Sequence, residues 1–444
     1  MDKTKPKLNY KNTFLIGFGF LASSLAWSLY NSFVPLILEE RFLQSTALIG
    51  LIMTIDNFFG VVFQPTVGIL SDKTDTKLGK RMPWIAFGLP VCALLFTFIP
   101  RMTTLAGTMA VLIAFNFIMS LWRSPVISLM PDVTPASLRS GANGIINLMG
   151  GVGSIIAFLV GGKLAASSGG MNLPFLMGAM VMFLSLFLLL FFVREPAMLR
   201  YRKRHAIALS AREQALYERY EQDVPETAGN GEKEKESEGK LFSKKVEGFK
   251  SLSSGEKRSL LFLLFAIFAW FSGYNAVETF FTLFATNNLG VGKGQAAMML
   301  TAFSLTFLAF AVPSGFLAQK VGRKKMILIG LCGLIATFLP ILLIENVTVV
   351  LVLLFIAGIF WACININSLP MVVEMAKPEA IGSFTGYYYF FSFTAAIVSP
   401  ILFGWLRDLS KTYSTLFIYA VACYVIALVC MLFVHHGDHK EEEV

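Results

Sequence analysis

Charge is scarce in this chain: only 15% of its 444 residues are Asp, Glu, Lys or Arg, while 55% are hydrophobic. A soluble domain of that length needs more charge to keep its surface wet, so a water-soluble globular protein is excluded. Histidine is nearly absent, and His205, His435, His436 and His439 all fall outside the apolar runs. Those runs contain no metal-ligand spacing and no nucleophile–base arrangement, so the sequence points to no enzyme, no cofactor and no metal. The five cysteines, Cys92, Cys332, Cys363, Cys423 and Cys430, sit in apolar stretches without paired spacing. That excludes a disulfide framework or zinc site and predicts buried small hydrophobes. No cleavable leader is expected, because Met1 to Lys11 is merely basic and the run that follows is too long for a signal-peptide core.

What the chain does have is apolar length. Runs fall at roughly 13–38, 46–70, 83–100, 106–130, 141–162, 173–193, 260–286, 295–318, 326–344, 347–373, 382–406 and 415–434. Stretches of about 20 such residues cross a bilayer as helices. The expectation is an all-α membrane protein of twelve transmembrane helices in two six-helix halves, residues 1–193 and 259–444, joined by a linker at 194–258. Up to about Gln222 the linker alternates charged and apolar residues, as an amphipathic helix lying on a membrane surface does. From Asp223 to Gly239 it has too few apolar residues to order itself.

Basic residues set the orientation. Of 37 Lys and Arg, thirty lie in the tails, the linker and the loops on the linker's side, six lie in the opposite loops, and Arg123 lies within a span. This bias places both termini and the linker in the cytoplasm, in a multi-pass protein of the cell (inner) membrane. The net charge of +9 therefore marks loops and does not signal nucleic acid.

The two halves repeat. After the second run the chain reads Gly68-Ile-Leu-Ser-Asp72-Lys73 and then Gly79-Lys80-Arg81; after the eighth it reads Gly315-Phe-Leu-Ala-Gln319-Lys320 and then Gly322-Arg323-Lys324-Lys325. Asp132 to Gly144 and Glu374 to Gly386 form a second echo, the two ends twelve residues apart in each half. Small residues permit close helix approach, and a short basic turn stays out of the bilayer. Gly68, Asp72, Gly79, Arg81, Asp132, Gly315, Arg323 and Glu374 are accordingly read as gate or latch residues.

This paired loop resembles the signature loop of the major facilitator superfamily. More narrowly, the stretch from Gln64-Pro65 to Met82-Pro83-Trp84, with Arg123 to Asp132 and Arg139 to Asn147, resembles the glycoside–pentoside–hexuronide:cation symporters, in particular their sucrose/proton-like branch. The resemblance implies cation-coupled sugar transport by a monomer without cofactor. Melibiose-type members carry a carboxylate pair for sodium on the second span. Here those positions are Gln64 and Gly60, so protons rather than sodium are the expected coupling ion. The sucrose branch carries its span-four arginine one turn nearer the cytoplasmic acid than Arg123.

Three ionisable residues lie mid-span: Asp56, Arg123 and Glu278. A lone charge in hydrocarbon is costly, so such groups face a cavity or a partner. Asp56 and Glu278 are candidate proton-coupling sites; Asp56 reads equally as half of a fixed bridge to Arg123, and Glu278 as a wet residue at the outer mouth. Arg123 suits carboxylate pairing or sugar hydroxyls. Trp270, Tyr274 and Glu278 follow one helical stripe. With Trp27, Asn31, Asn116, Arg123, Asn143, Asn147, Trp361 and Asn365, Trp270 and Tyr274 make the candidate substrate-binding set. Aromatic plates and amides suit the flat faces and hydroxyls of a sugar, and the same residues also serve as helix-packing groups. The leading reading is a proton-coupled sugar or glycoside symporter, with a disaccharide favoured. An exporter of amphipathic compounds and a non-transporting membrane sensor are the alternatives.

Overall fold

The computed structural model describes residues 8–167, 170–223, 252–376 and 380–437. Most of the low-complexity linker, including 224–239, and His439 lie outside the described residues. Among the described residues twelve helices are long and apolar enough to cross a membrane, and all twelve coincide with the apolar runs.

In chain order the helices are α1 (Tyr10–Arg41), α2 (Thr46–Met53), α3 (Ile55–Asp72), α4 (Met82–Phe98), α5 (Leu105–Val133), α6 (Arg139–Ile156), α7 (Gly162–Ala165), α8 (Asn172–Phe192), α9 (Pro196–Arg204) and α10 (Ala211–Asp223). After the linker come α11 (Ser254–Asn288), α12 (Lys293–Val321), α13 (Arg323–Ile341), α14 (Val347–Val373), α15 (Ile381–Ser410) and α16 (Thr415–Leu432). Helices prevail because hydrocarbon offers no partner for backbone N–H and C=O groups, which must pair within the segment. Free ends are capped locally: a Ser253–Glu256 capping box starts α11, Thr104 caps α5 and Asn346 caps α14. Large apolar side chains such as Phe191, Val312 and Phe390 point outward, where lipid is their solvent.

Two spans depart from the regular α-helix. The second breaks at Thr54, between α2 and α3, and the fifth passes through a π-helical turn, Ala157–Gly161, between α6 and α7. Neither break is marked by a proline, so neither is apparent in the sequence.

The helices form two compact units. The first comprises Met1–Tyr30 and Ile55–Gly229. In it Gly153 lies against the Leu21 carbonyl, and the Ser185 hydroxyl donates to the Phe18 carbonyl at 2.9 Å, which fixes α1 against the fifth span and α8. In its core Phe96 stacks on Phe115 at 5.2 Å and meets Phe175 tilted at 4.7 Å. The start of the linker, read as an amphipathic helix, turns part of its apolar face onto protein. It forms the hairpin α9–α10, whose buried Met198, Leu199 and Tyr220 pack with Val133, Leu209, Leu216 and Tyr217.

The second unit comprises Asn31–Thr54 and Asn230–Val444. Here Gly358 of α14 meets the Phe303 carbonyl of α12, and Thr306 donates to the Phe355 carbonyl at 2.7 Å. α2 packs backbone to backbone on α15 through Gly50 and Gly404. Asp408 caps α2, accepting from the Thr46 and Ala47 amides at 2.8 and 3.1 Å and from the Ser45 hydroxyl at 2.6 Å. Of the cysteines, Cys92, Cys363 and Cys423 are buried as expected, whereas Cys332 is exposed and Cys430 half-buried. Outward-facing positions of a membrane helix are apolar, so a buried environment is not what the apolar setting of Cys332 reports.

Candidate functional site

At the linker end of the first unit, the repeat residues converge on one arginine. The buried Arg81 guanidinium bonds Asp132 at 2.8 Å, Asp72 and the Ser71 hydroxyl, and lies 3.4 Å from the Gly68 carbonyl. Lys80 adds a second contact to Asp132 at 3.4 Å. Burial opposes the Arg81 charge, but Asp132 and then Asp72 outweigh it and hold the group above its ordinary range. Beneath it lies Glu195, a residue absent from the sequence-derived set. Its carboxylate accepts from the amides of Lys80 (2.8 Å), Arg81 (3.0 Å) and Met82 (2.6 Å), closing the start of α4. Burial pushes the Glu195 carboxyl up, and the three amides pull it back. Gly79 turns with φ +104°, and a side chain there would collide with Glu195. The signal for Glu195 was its place, an acid immediately after the sixth span, but not its partners.

The second unit carries the counterpart. Gly322 has φ +100°, as Gly79 does, and Arg323 pairs with Glu374 as Arg81 pairs with Asp132. Gly315 has ordinary room, with Ile366 3.6 Å from where a Cβ would sit, so close helix approach is not its role here. Glu195→Ala would leave three amides unpaired, those of Arg81 and Met82 buried, and is expected to destabilise the protein by about 2–3 kcal/mol. A melting temperature equal to that of the native protein would show that the cap carries no load.

Midway along the first unit, α1, α3 and α5 bring together Trp27, Tyr30, Asp56, Asn116 and Arg123. Asn116 donates to the Tyr30 hydroxyl at 3.2 Å, and Tyr30 stacks on Phe115 at 5.8 Å. The Arg123 guanidinium lies 5.8 Å from the Trp27 ring centroid. Asp56, just past the break at Thr54, accepts from the Asn57 amide at 2.6 Å and side chain at 2.8 Å, and its charge acts on both Arg123 and Tyr30. Asn143 and Asn147, on α6, are exposed, and Asn147 donates to the Asn143 carbonyl at 2.8 Å.

In the second unit Glu278 is half-buried and hydrogen-bonded by the Asn31 side chain. One turn away, Tyr274 stacks flat on Trp361, with centroids 4.3 Å apart and planes 2° apart. Phe271 meets Trp361 edge-on at 5.7 Å, and the half-buried Asn365 follows Trp361 on α14. The stripe read as one is divided. Tyr274 and Glu278 are half-buried, whereas Trp270 is wholly enclosed in the packing of α11. Helical spacing gives a common face but not how deep each position lies. The partnership of Asn31 with Glu278 and of Tyr274 with Trp361 was likewise not readable from spacing. Among the described residues no His, Cys, Asp and Glu cluster is arranged to hold a metal.

The Major Facilitator Superfamily model matches residues 16–292 and again residues 263–444. An uncharacterized symporter of Synechocystis is 26% identical over 140 residues, 29% of this chain and 26% of that protein. A multidrug resistance protein, MdtG of Proteus mirabilis, is 25% identical over 183 residues, 40% of this chain and 45% of that protein. These alignments thus span from about a quarter to under half of the curated relatives' length. Among solved structures, the nucleoside transporter NupG superposes with a TM-score of 0.70 at 14% identity, over 95% of this chain and 100% of that one. The fold is that of multi-pass membrane transporters.

Proposed function

The chain belongs to the Major Facilitator Superfamily, and on that premise we propose that it is a secondary active transporter that carries a sugar or glycoside, a disaccharide above all, by proton-coupled symport. The observation that carries this reading is Glu278: a half-buried mid-span carboxyl, bonded by Asn31, one turn from the Tyr274–Trp361 stack. A neutral, greasy cargo needs neither a carboxyl nor an amide at that depth, and each is costly there. The aromatic pair offers a flat apolar plate, and the carboxyl and amide offer acceptors and donors beside it, a combination that suits a sugar. In the first unit Arg123, Trp27, Asn116 and Asp56 supply a second set of the same chemistry. The likeness to a symporter and the resemblance of the 64–84 segment to the sucrose/proton branch support the same reading. We read the domains as two six-helix halves, 1–193 and 259–444, and the linker end as cytoplasmic. Arg81–Asp72–Asp132 and Arg323–Glu374 are then the latches of that side.

The MdtG likeness favours a second reading, export of amphipathic compounds. A thermal-shift screen of the purified protein separates the two, because a ligand that binds the folded state raises the melting temperature by mass action. The proposal expects disaccharides to raise it and lipophilic cations to leave it unchanged; the reverse would transfer the protein to the exporters. Tyr274→Ala should weaken affinity for the responding sugar about fivefold, since a desolvated aromatic contact contributes about 1 kcal/mol. Native affinity in that variant would leave Tyr274 as packing against Trp361.

A further inference from the structure

The hairpin α9–α10 leaves a groove where α10 passes over the linker-side ends of α1 and α8. The groove, open on one side, has a volume of about 340 Å³ and presents Lys11, Arg194, Arg212 and Arg219 beside the apolar Leu15 and Phe192. None of its lining residues is acidic. Glu213 contacts Arg194 at 3.6 Å and turns mainly to Arg202 at 2.8 Å. Lys11, Arg212 and Arg219 are exposed. Because α1 begins at Tyr10 and α8 ends at Phe192, these cations stand where hydrocarbon gives way to water.

Below the cations the groove ends on Leu15 of α1 and Phe192 of α8, at the head of the seam between these helices. Helical spacing continues Lys11 and Leu15 to Phe18, and continues Phe192 back to Leu188 and Ser185. The Ser185–Phe18 hydrogen bond of 2.9 Å fixes the two helices along this seam, and Leu15, Phe18 and Leu188 are half-buried. The upper wall is fixed as well. Tyr220 donates to the Arg194 carbonyl at 3.2 Å and receives Asn12 at 3.2 Å.

We propose that this groove binds an anionic phospholipid, its phosphate among the four cations and an acyl chain along the α1–α8 seam. Arginine forks match phosphate oxygens, and basic pockets between membrane helices select acidic headgroups. A free phosphate would satisfy the cations but would leave the seam unused. A zwitterionic lipid would fill the seam but bring no net charge to four cations. A bound lipid would tie the start of the linker to the bilayer while the hairpin's own apolar face stays on the protein.

The test uses the full-length protein purified in a non-ionic detergent. Melting temperature is followed during titration with phosphatidylglycerol, phosphatidylcholine or inorganic phosphate. Phosphatidylglycerol should raise it and the other two should not. K11Q/R212Q alters two exposed side chains, so its lipid-free melting temperature should equal the native one. Its affinity for phosphatidylglycerol should fall about twentyfold, and that of R212Q alone about fivefold, since each basic contact near an anionic headgroup contributes about a factor of five. Equal shifts with phosphatidylcholine, native affinity in both variants, or an equal shift from inorganic phosphate would each overturn the proposal.

Discussion

Glu278→Gln should leave sugar exchange across proteoliposome membranes within about twofold of native, while accumulation against a gradient falls by more than about tenfold. Glutamine keeps the size of the side chain and can still bond Asn31, which is the contact Glu278 makes. What it lacks is a second charge state. A carboxyl that takes up a proton changes from minus one to zero, and an uncharged group enters a dry, occluded state far more readily than a charged one. The variant should therefore carry sugar in both directions with no coupling to the proton gradient. Exchange and accumulation falling together would reduce Glu278 to a substrate ligand or a structural group. Undiminished accumulation would remove it from the coupling altogether.

Arg123→Lys should lower uptake by about tenfold to a hundredfold with folding intact, the larger figure applying if both forks of the guanidinium are used. Lysine keeps the positive charge that Asp56 acts on. It loses the flat guanidinium that sits 5.8 Å from the Trp27 centroid and the paired N–H donors that can span two hydroxyls. The comparison separates recognition from charge balance. If the arginine only neutralises Asp56, lysine should serve equally well, and native uptake by the variant would establish that simpler role. A native melting temperature with depressed uptake would place the loss in the interaction with sugar and exclude a general loosening of the first unit.

The twelve spans were legible because a bilayer imposes one length and one polarity on every helix that crosses it, so composition alone marks them. Arg81, Asp132, Arg323 and Glu374 were legible as members of a repeat, since each half places a basic turn and an acid at matching intervals, but which of them pair was not. Other features depend on contacts that spacing does not encode. Glu195 caps a loop 113 to 115 positions away in the chain. Asn31 and Glu278 appeared as separate candidates, but nothing local to either names the other. Trp270 and Tyr274 share a helical face, yet α11 is packed so deeply at Trp270 that only the next turn opens. The break at Thr54 was hidden for a different reason. A β-branched residue in an apolar run is common, and only the structure shows the Thr54 hydroxyl turned back onto the Leu51 carbonyl at 2.8 Å. The linker's amphipathic pattern was legible, but not that Met198, Leu199 and Tyr220 would pack with Val133, because protein and lipid ask for the same apolar face.

Uptake of the thermal-shift sugar into proteoliposomes, under an imposed pH gradient or an imposed sodium gradient, tests the central claim most directly. The second span supplies Gly60 and Gln64 where a sodium site of the melibiose type needs carboxylates, which leaves single acids, Asp56 and Glu278, to couple transport. An inward proton gradient should therefore drive accumulation, a sodium gradient at constant pH should not, and a protonophore should abolish the difference. Accumulation driven by sodium and indifferent to the pH gradient would contradict the account.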